Sequence, residues 1–429
     1  MSYSKSLLAA AVIGLTALPA AALEVKVGGQ INRAVMFVED GYAQGNLGEG
    51  SKTEIYHIDN RNSPTRLNIG AVQRLYQGWT AGSVIEIGAF SNASNEVDPN
   101  NKTVDPRLDL RITDLFVDSP YGKLTVGRGE GAAYNAGRRD YSGTGVISFR
   151  NPGLIGGSLR YRLRDSSFSQ NFDADGNFEG NVNWKEDGNV PQPGRNSASI
   201  AGTMRDFNFE GRHERIRYDS PLIGPVTLSA SVGHESSNDS DRHNTIMQVG
   251  LRSGLRAPGG RLLLGLGYSR ATRNGDVSGQ AFDPDPDVNA NIRTYGGSVS
   301  YFHSNTGLNI SLAAVNQAAD IPSDTANNNF TANDSELAKF RYVKLGYRPS
   351  RQHAFDIHYG ETLDRIRENE KATVIGAGYV WSPTQMLDLY SGAKIHSFRR
   401  EWCTGSGRTC YNPKYDDISV VTTGIRMKF

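Results

Sequence analysis

The stretch GGSLRYRLRD carries Arg160, Arg162 and Arg164 at every second position, with Leu159, Tyr161 and Leu163 between them. In an extended chain alternate side chains share one face at about 7 Å spacing. The three arginines are therefore expected to form a cationic ladder. A guanidinium stays charged at physiological pH, and its planar fork holds carboxylate or phosphate through two hydrogen bonds. That chemistry recognises anions without making bonds. Arg66, Arg74, Arg107, Arg111, Arg128, Arg138 and Arg139 are further basic candidates, with Glu130, Asp140 and Asp165 as nearby carboxylates.

Other constellations carry less. Asp283, Asp285 and Asp287 cluster in DPDPD, where carboxylates could hold Ca²⁺. The two prolines oppose a tight calcium-binding turn, and the glycine and terminal glutamate of an EF-hand loop are missing, so a solvated acidic loop is expected and no metal is assigned. HIDNRNS places His57, Asp59, Asn60 and Ser63 close in sequence, but adjacency in sequence is not a catalytic triad. No G-x-S-x-G or H-E-x-x-H motif occurs. Neither an enzyme nor a cofactor is expected. Cys403 and Cys410, the two cysteines, flank a Gly-Ser-Gly stretch in EWCTGSGRTCYN. In an exported chain this pattern reads as a disulfide stapling a surface loop, with a zinc pair involving His396 or Asp416 as the rival.

Export is expected from the N-terminus. MSYSKSLLAAAVIGLTALPAAALEVKV has one lysine, an apolar run from Leu7 to Leu18, and then Ala20 and Ala22, the pattern of a signal peptide over 1–22 cleaved after Ala22. A transmembrane helix needs about 20 apolar residues, and Pro19 and Glu24 close this run early. Residues 23–429 contain no second such run. A net charge of +1 gives no global field for nucleic acid.

The elements that position the arginines are strands. Leu262, Leu264, Leu266 and Tyr268 alternate with polar or small residues; so do Tyr295, Val299 and Tyr301, and Ile375, Ala377, Tyr379 and Trp381. These segments have the length of a tilted membrane strand, apolar on one face and wet on the other. A soluble sandwich of this length would split into domains, and no linker is evident. If the apolar face meets lipid, backbone groups are satisfied only when the sheet closes on itself.

Connections make the strands countable. Short turns fall at 75–78, 119–122, 220–225, 257–260, 304–307, 348–352 and 382–385. Long polar loops fall near 39–63, 91–106, 129–212, 236–243, 273–292, 318–338, 362–371 and 399–416. Fifteen connections join sixteen strands, both chain ends lie on the turn side, and a barrel of that size encloses an aqueous channel. The last strand, DDISVVTTGIRMKF, ends on Phe429 and must pair with the first, EVKVGGQINRAVMFV, to close the barrel.

These segments resemble the general porin family of Gram-negative outer membranes. EVKVGGQIN is similar to the family's start and SPTRLNIGAVQRL to its second strand; RITDLFVDSPYGKLTVGR and RIRYDSPLIGPVTLSASVG are similar to the fourth through seventh strands with their turns. The resemblance implies an all-β, sixteen-stranded antiparallel barrel in the outer membrane, both termini periplasmic, assembled as a homotrimer. It implies a third loop folded into the lumen, carboxylates on that loop facing wall arginines, and passive diffusion of small hydrophilic solutes. Arg66 and Arg128 match wall arginines of the family, and Arg215 or Arg217 occupies the place of another. Phe429 matches the terminal signal read by the outer-membrane assembly machinery; lipopolysaccharide is an expected neighbour. The family's compact Pro-Glu-Phe-Gly-Gly loop motif is absent.

Residues 129–212 are far longer than an ordinary connection. The first reading is an inward loop whose arginines face the passage. The others are an extra hairpin giving eighteen strands, arginines that only pin the loop to the wall, and an exposed lid. The arginine count favours a weak anion preference; a channel selective for carboxylates or phosphate is the alternative. If the ladder lines the passage, neutralising Arg160, Arg162 and Arg164 together shifts the reversal potential toward cation selectivity.

Overall fold

The computed structural model describes residues 23–41, 53–162, 196–234, 245–274, 289–320, 337–365, 369–403, 410–412 and 414–429. The expected signal peptide, Arg164, and Asp283, Asp285 and Asp287 lie outside these residues. No helix among them is long and apolar enough to cross a membrane. The crossing elements are strands.

Strand β1 runs Glu24–Glu39, β2 Glu54–Asp59, β3 Arg66–Arg74, β4 Thr80–Phe90, β5 Arg107–Ser119 and β6 Gly122–Glu130. After two short strands, β7 (Arg160–Arg162) and β8 (Asn196–Ser199), come β9 Arg212–Asp219, β10 Val226–His234, β11 Thr245–Ala257 and β12 Gly260–Asn274. Then follow β13 Asn289–His303, β14 Leu308–Asp320, β15 Leu337–Tyr347, β16 His353–Leu363, β17 Glu370–Trp381 and β18 Leu387–Arg400. A two-residue pair, β19 (Trp402–Cys403) and β20 (Cys410–Tyr411), precedes β21, Ile418–Lys428.

One sheet contains seventeen of these segments. β2 and β3 both pair with β1, at residues 33–38 and 24–30 respectively, and so form two halves of one barrel strand. The wall is a closed, antiparallel, sixteen-stranded barrel. Closure is made by β21 on β1, in register from Gln30 opposite Lys428 to Glu39 opposite Ser419. Beyond it Phe429 N–H donates to Gly29 O at 3.1 Å and Gly29 N–H to Phe429 O at 2.9 Å. The chain's last residue is the last rung of the ladder.

All seven expected turns join neighbouring strands. Alternation also holds: Leu266, Tyr268, Tyr295, Ile375, Trp381, Val421, Ile425, Met427 and Phe429 are exposed on the outer surface. Such a belt is stable only against lipid or another apolar surface. The extra-hairpin reading is corrected, because β7 pairs only with β8 in a ribbon of its own. Sequence reading also placed 54–59 in a loop. That segment is strand, separated from β3 because residues 60–65 turn into the lumen.

There they hold the long connection between β6 and β9. Asn60 Nδ2 donates to Val146 O at 2.8 Å and Asn62 Nδ2 to Ile147 O at 3.0 Å. Tyr390 on β18 fixes the inturned segment by accepting from Asn60 Nδ2 at 3.0 Å and donating to Asn32 Oδ1 at 2.6 Å. Backbone without a sheet partner is tolerated at membrane depth only where protein groups satisfy it. Wall side chains do this: Ser231, Gln248, Ser298 and Ser300 accept from the N–H groups of Ala132, Ala133, Arg139 and Tyr141 at 2.8 to 3.0 Å. Close approach needs glycine; a Cβ on Gly265 would lie 2.6 Å from Ala136 O.

Buried ion pairs fix the segment. Lys344 on β15 is wholly enclosed and donates to Asp140 Oδ2 at 2.8 Å, while Ser311 Oγ donates to Asp140 Oδ1 at 3.0 Å. Arg150, 1% exposed, donates to Gly137 O at 2.8 Å and ties the segment to itself. Arg138 pairs with Asp206, Nη2 to Oδ1 at 2.8 Å.

Two outcomes are expected in purified protein. Lys344→Met removes the ammonium that hydrogen-bonds Asp140 and leaves only the more distant Arg150 charge, a loss of up to about 3–5 kcal/mol in the segment's attachment; single-channel recordings should show larger or noisier steps with the barrel intact. Tyr390→Phe removes two buried hydrogen bonds and should cost about 1–3 kcal/mol, read as a lower thermal midpoint; an unchanged midpoint would show that the inturned segment is held by other means.

Candidate functional site

The contacts of the infolded segment run along the inner face of β10 to β18 and onto residues 60–62. Opposite, on β3 to β6 and β9, inward side chains stand in a charged row. Alternation explains their aim: Leu67 and Ile69 are exposed outside, so Arg66 and Asn68 point in. Ile216 and Tyr218 are likewise exposed, so His213, Arg215, Arg217 and Asp219 point in. A bulge between β4 and β5, where Glu86 pairs with Ile112 and Ile87 with Leu110, leaves Arg111 as the extra residue.

Arg66 and Arg111 flank Glu86, with Arg66 Nε 3.7 Å from Glu86 Oε2 and Arg111 Nε donating to Glu86 Oε1. Arg215 grips Asp114 with both terminal nitrogens, at 2.7 and 2.9 Å. Arg217 holds Asp219 and donates to Glu130 O at 3.1 Å. Two more arginines face the same space without a carboxylate partner among the described residues. Arg252 donates to Tyr134 O at 3.4 Å, and Arg139, on the segment itself, has its Nε unmatched. Among these named residues six arginines meet three carboxylates, so the group itself is positive. Arg66 keeps 27% of its side chain exposed, so the row is in contact with solvent.

Asp140 does not offset this surplus. Burial acts against its charge, but the Lys344 ammonium and the Arg150 guanidinium hold its carboxyl well below the usual carboxylate range. Ionised, it is consumed by Lys344, and Asp206 is consumed by Arg138.

The expected site residues divide accordingly. Arg66, Arg111 and Arg217 lie on the lumenal wall, and Arg138, Arg139 and Asp140 on the infolded segment. The choice between Arg215 and Arg217 dissolves, since residues two apart on a strand share a face. Arg128 is corrected: it is in phase with Leu124 and Val126, which are exposed outside, and its Nε donates to Leu110 O at 3.2 Å. Arg74 is the exposed last residue of β3, at the turn end, away from the row. Glu130 is paired with Arg212 at 3.4 Å.

The arginine ladder is also corrected. Pairing of β7 with β8 slips between Arg160 and Arg162. Tyr161 is buried against Phe398, with ring centroids 5.0 Å apart, and Arg162 is 5% exposed with Nη2 3.4 Å from Asp40 Oδ2. Arg160 alone of the two is exposed. Arg162 pins the ribbon to the wall, which was the rival reading, through a carboxylate that local sequence did not indicate. Cys403 stands opposite Cys410 in the β19–β20 register, although their side chains lie outside the described residues.

The sequence profile of the Gram-negative porins matches residues 9–394. No curated protein matches by sequence. Among solved structures, the fold is similar to the anion-selective porin from Comamonas acidovorans, at 13% identity and a TM-score of 0.55, covering 95% of this chain and 100% of that one. It is also similar to OmpT, an outer membrane protein of Vibrio cholerae, at 11% identity and a TM-score of 0.54, covering 96% and 99%. A trimer form of that protein aligns at 11% identity and a TM-score of 0.54, over 95% and 100%. With the profile spanning most of the chain and the closed barrel bearing it out, this protein belongs to the Gram-negative porin family.

Proposed function

We propose that the chain is a trimeric outer-membrane porin through which small hydrophilic solutes and ions diffuse down their gradients, with a weak preference for anions. The observation carrying the preference is the surplus of arginine over carboxylate in the row of Arg66, Arg111, Arg215, Arg217, Arg252 and Arg139 against Glu86, Asp114 and Asp219. Fixed charge in a narrow, low-dielectric passage biases which ions enter. The infolded segment narrows the passage from the opposite side, and opposed groups orient dipolar solutes between them.

In this reading residues 1–22 are removed on export and the turn end faces the periplasm with both termini. Phe429 is presented to the assembly machinery, and the outer belt meets lipid, lipopolysaccharide and neighbouring subunits. The structural likeness to a trimer form and to an anion-selective porin supports the assembly and the selectivity. The register of Cys403 opposite Cys410 supports a disulfide across β19–β20. The protein works as a channel, without catalytic chemistry.

Arg111→Gln with Arg217→Gln removes two positive charges from the row, leaving Glu86 with Arg66 alone and Asp219 without its arginine. Under a salt gradient across a planar bilayer the double variant should lose the anion preference and shift several-fold toward cations, while the native protein conducts in ohmic steps grouped in threes. A native reversal potential on the cation side, or no shift in the variant, would remove this row from the selectivity region.

A further inference from the structure

Below the infolded segment, toward the turn end, further arginines line the lumen and continue from Arg252 of the row described above. Arg256 and Arg261 stand directly across from each other on β11 and β12. Like charges so opposed repel. Both point into the lumen by alternation, since inward-facing Gly250 and Gly265 on the same strands press against Ala132 and Ala136 of the infolded segment. Both are exposed. Arg252 lies on this face of β11 between Gly250 and Arg256, and Arg348 continues the inward alternation of Lys344 on β15.

Among the described residues none of the four is paired with a carboxylate. Arg348 Nη1 donates to Tyr141 O at 3.4 Å, and Arg252 reaches only backbone oxygens. Beside them sit two aromatic rings, Tyr141 of the segment and Phe302 of β13, 6.0 Å apart at 51°. The Arg261 guanidinium carbon lies 5.6 Å from the Tyr141 centroid and 5.5 Å from that of Phe302, and Arg348 lies 6.0 Å from Phe302.

We propose that this group is a subsite for aromatic carboxylates, a solute-binding step at the turn-end mouth of the channel. A carboxylate bridging Arg256 and Arg261 relieves their repulsion and fits the guanidinium fork. A planar ring attached to it stacks on a guanidinium plane or packs against Tyr141 and Phe302. An aliphatic carboxylate of equal charge gains the first contact and not the second. The proposal rests on the porin reading and adds to it a class of solute.

The test is single-channel recording in chloride with benzoate or acetate added on the turn-end side at equal ionic strength. Benzoate should produce blockages lasting about tenfold longer than any from acetate, as one added aromatic contact implies. Arg256→Gln with Arg261→Gln should erase the blockages while chloride still passes in ohmic steps. Phe302→Leu should shorten the benzoate blockages and leave the response to acetate unchanged. Equal behaviour of benzoate and acetate in the native protein, or benzoate blockages that survive the double substitution, would overturn the subsite. A native preparation giving no ohmic channel in chloride alone would overturn the porin reading itself.

Discussion

The structure depends on one constraint: in lipid, every backbone N–H and C=O must find its partner inside the protein. A sheet with an apolar outer surface can satisfy this only by closing, and closing requires the last strand to reach the first. Phe429 and Gly29 exchange both of their hydrogen bonds, so the ladder is complete to its final residue. The strand lengths, the alternation and the tight turns are consequences of fitting that closed ladder across an apolar layer.

The same constraint governs the infolded segment, which has no strand partner and lies within the ring. Its N–H groups are taken by serine hydroxyls and amide oxygens projecting from the wall, and its carbonyls by Asn60 and Asn62 where the second barrel strand breaks. A break in the wall would ordinarily waste ladder bonds. Here the residues released from the wall satisfy the chain that crosses the lumen. Lys344 with Asp140 adds an ionic anchor, and because the lysine is wholly enclosed and neutralises the carboxylate, the pair serves attachment and contributes little to the field felt by a passing ion.

What was legible in the sequence follows from which contacts are local. Ile375, Ala377, Tyr379 and Trp381 announce an outer face because lipid asks only that every second residue be apolar. SPYG and APGG announce turns because their prolines and glycines carry the needed dihedral angles locally. The partners of charged residues are set by the closed barrel and are not local. Asp140 finds Lys344 204 positions away, and Arg162 finds Asp40 122 away. RYRLR therefore read as a free ladder, while one of its arginines is a pin. Arg256 and Arg261 were passed over for a related reason: five residues apart on either side of a turn, they look like separate solvated charges until the hairpin places them face to face.

Arginine in this lumen consequently has three distinct roles, and the partner of each decides which. Those enclosed with backbone oxygens or carboxylates, such as Arg150 and Arg162, are structural. Those matched to a carboxylate yet in contact with solvent, such as Arg66 beside Glu86, create strong local fields with little net charge, which orients a dipolar solute more than it selects an ion. Those with no carboxylate partner among the described residues, Arg139, Arg252, Arg256, Arg261 and Arg348, supply the unbalanced positive charge. This last set runs from the infolded segment to the turn-end mouth, so the part of the lumen wall between them is lined by guanidinium that no neighbouring carboxylate among the described residues neutralises.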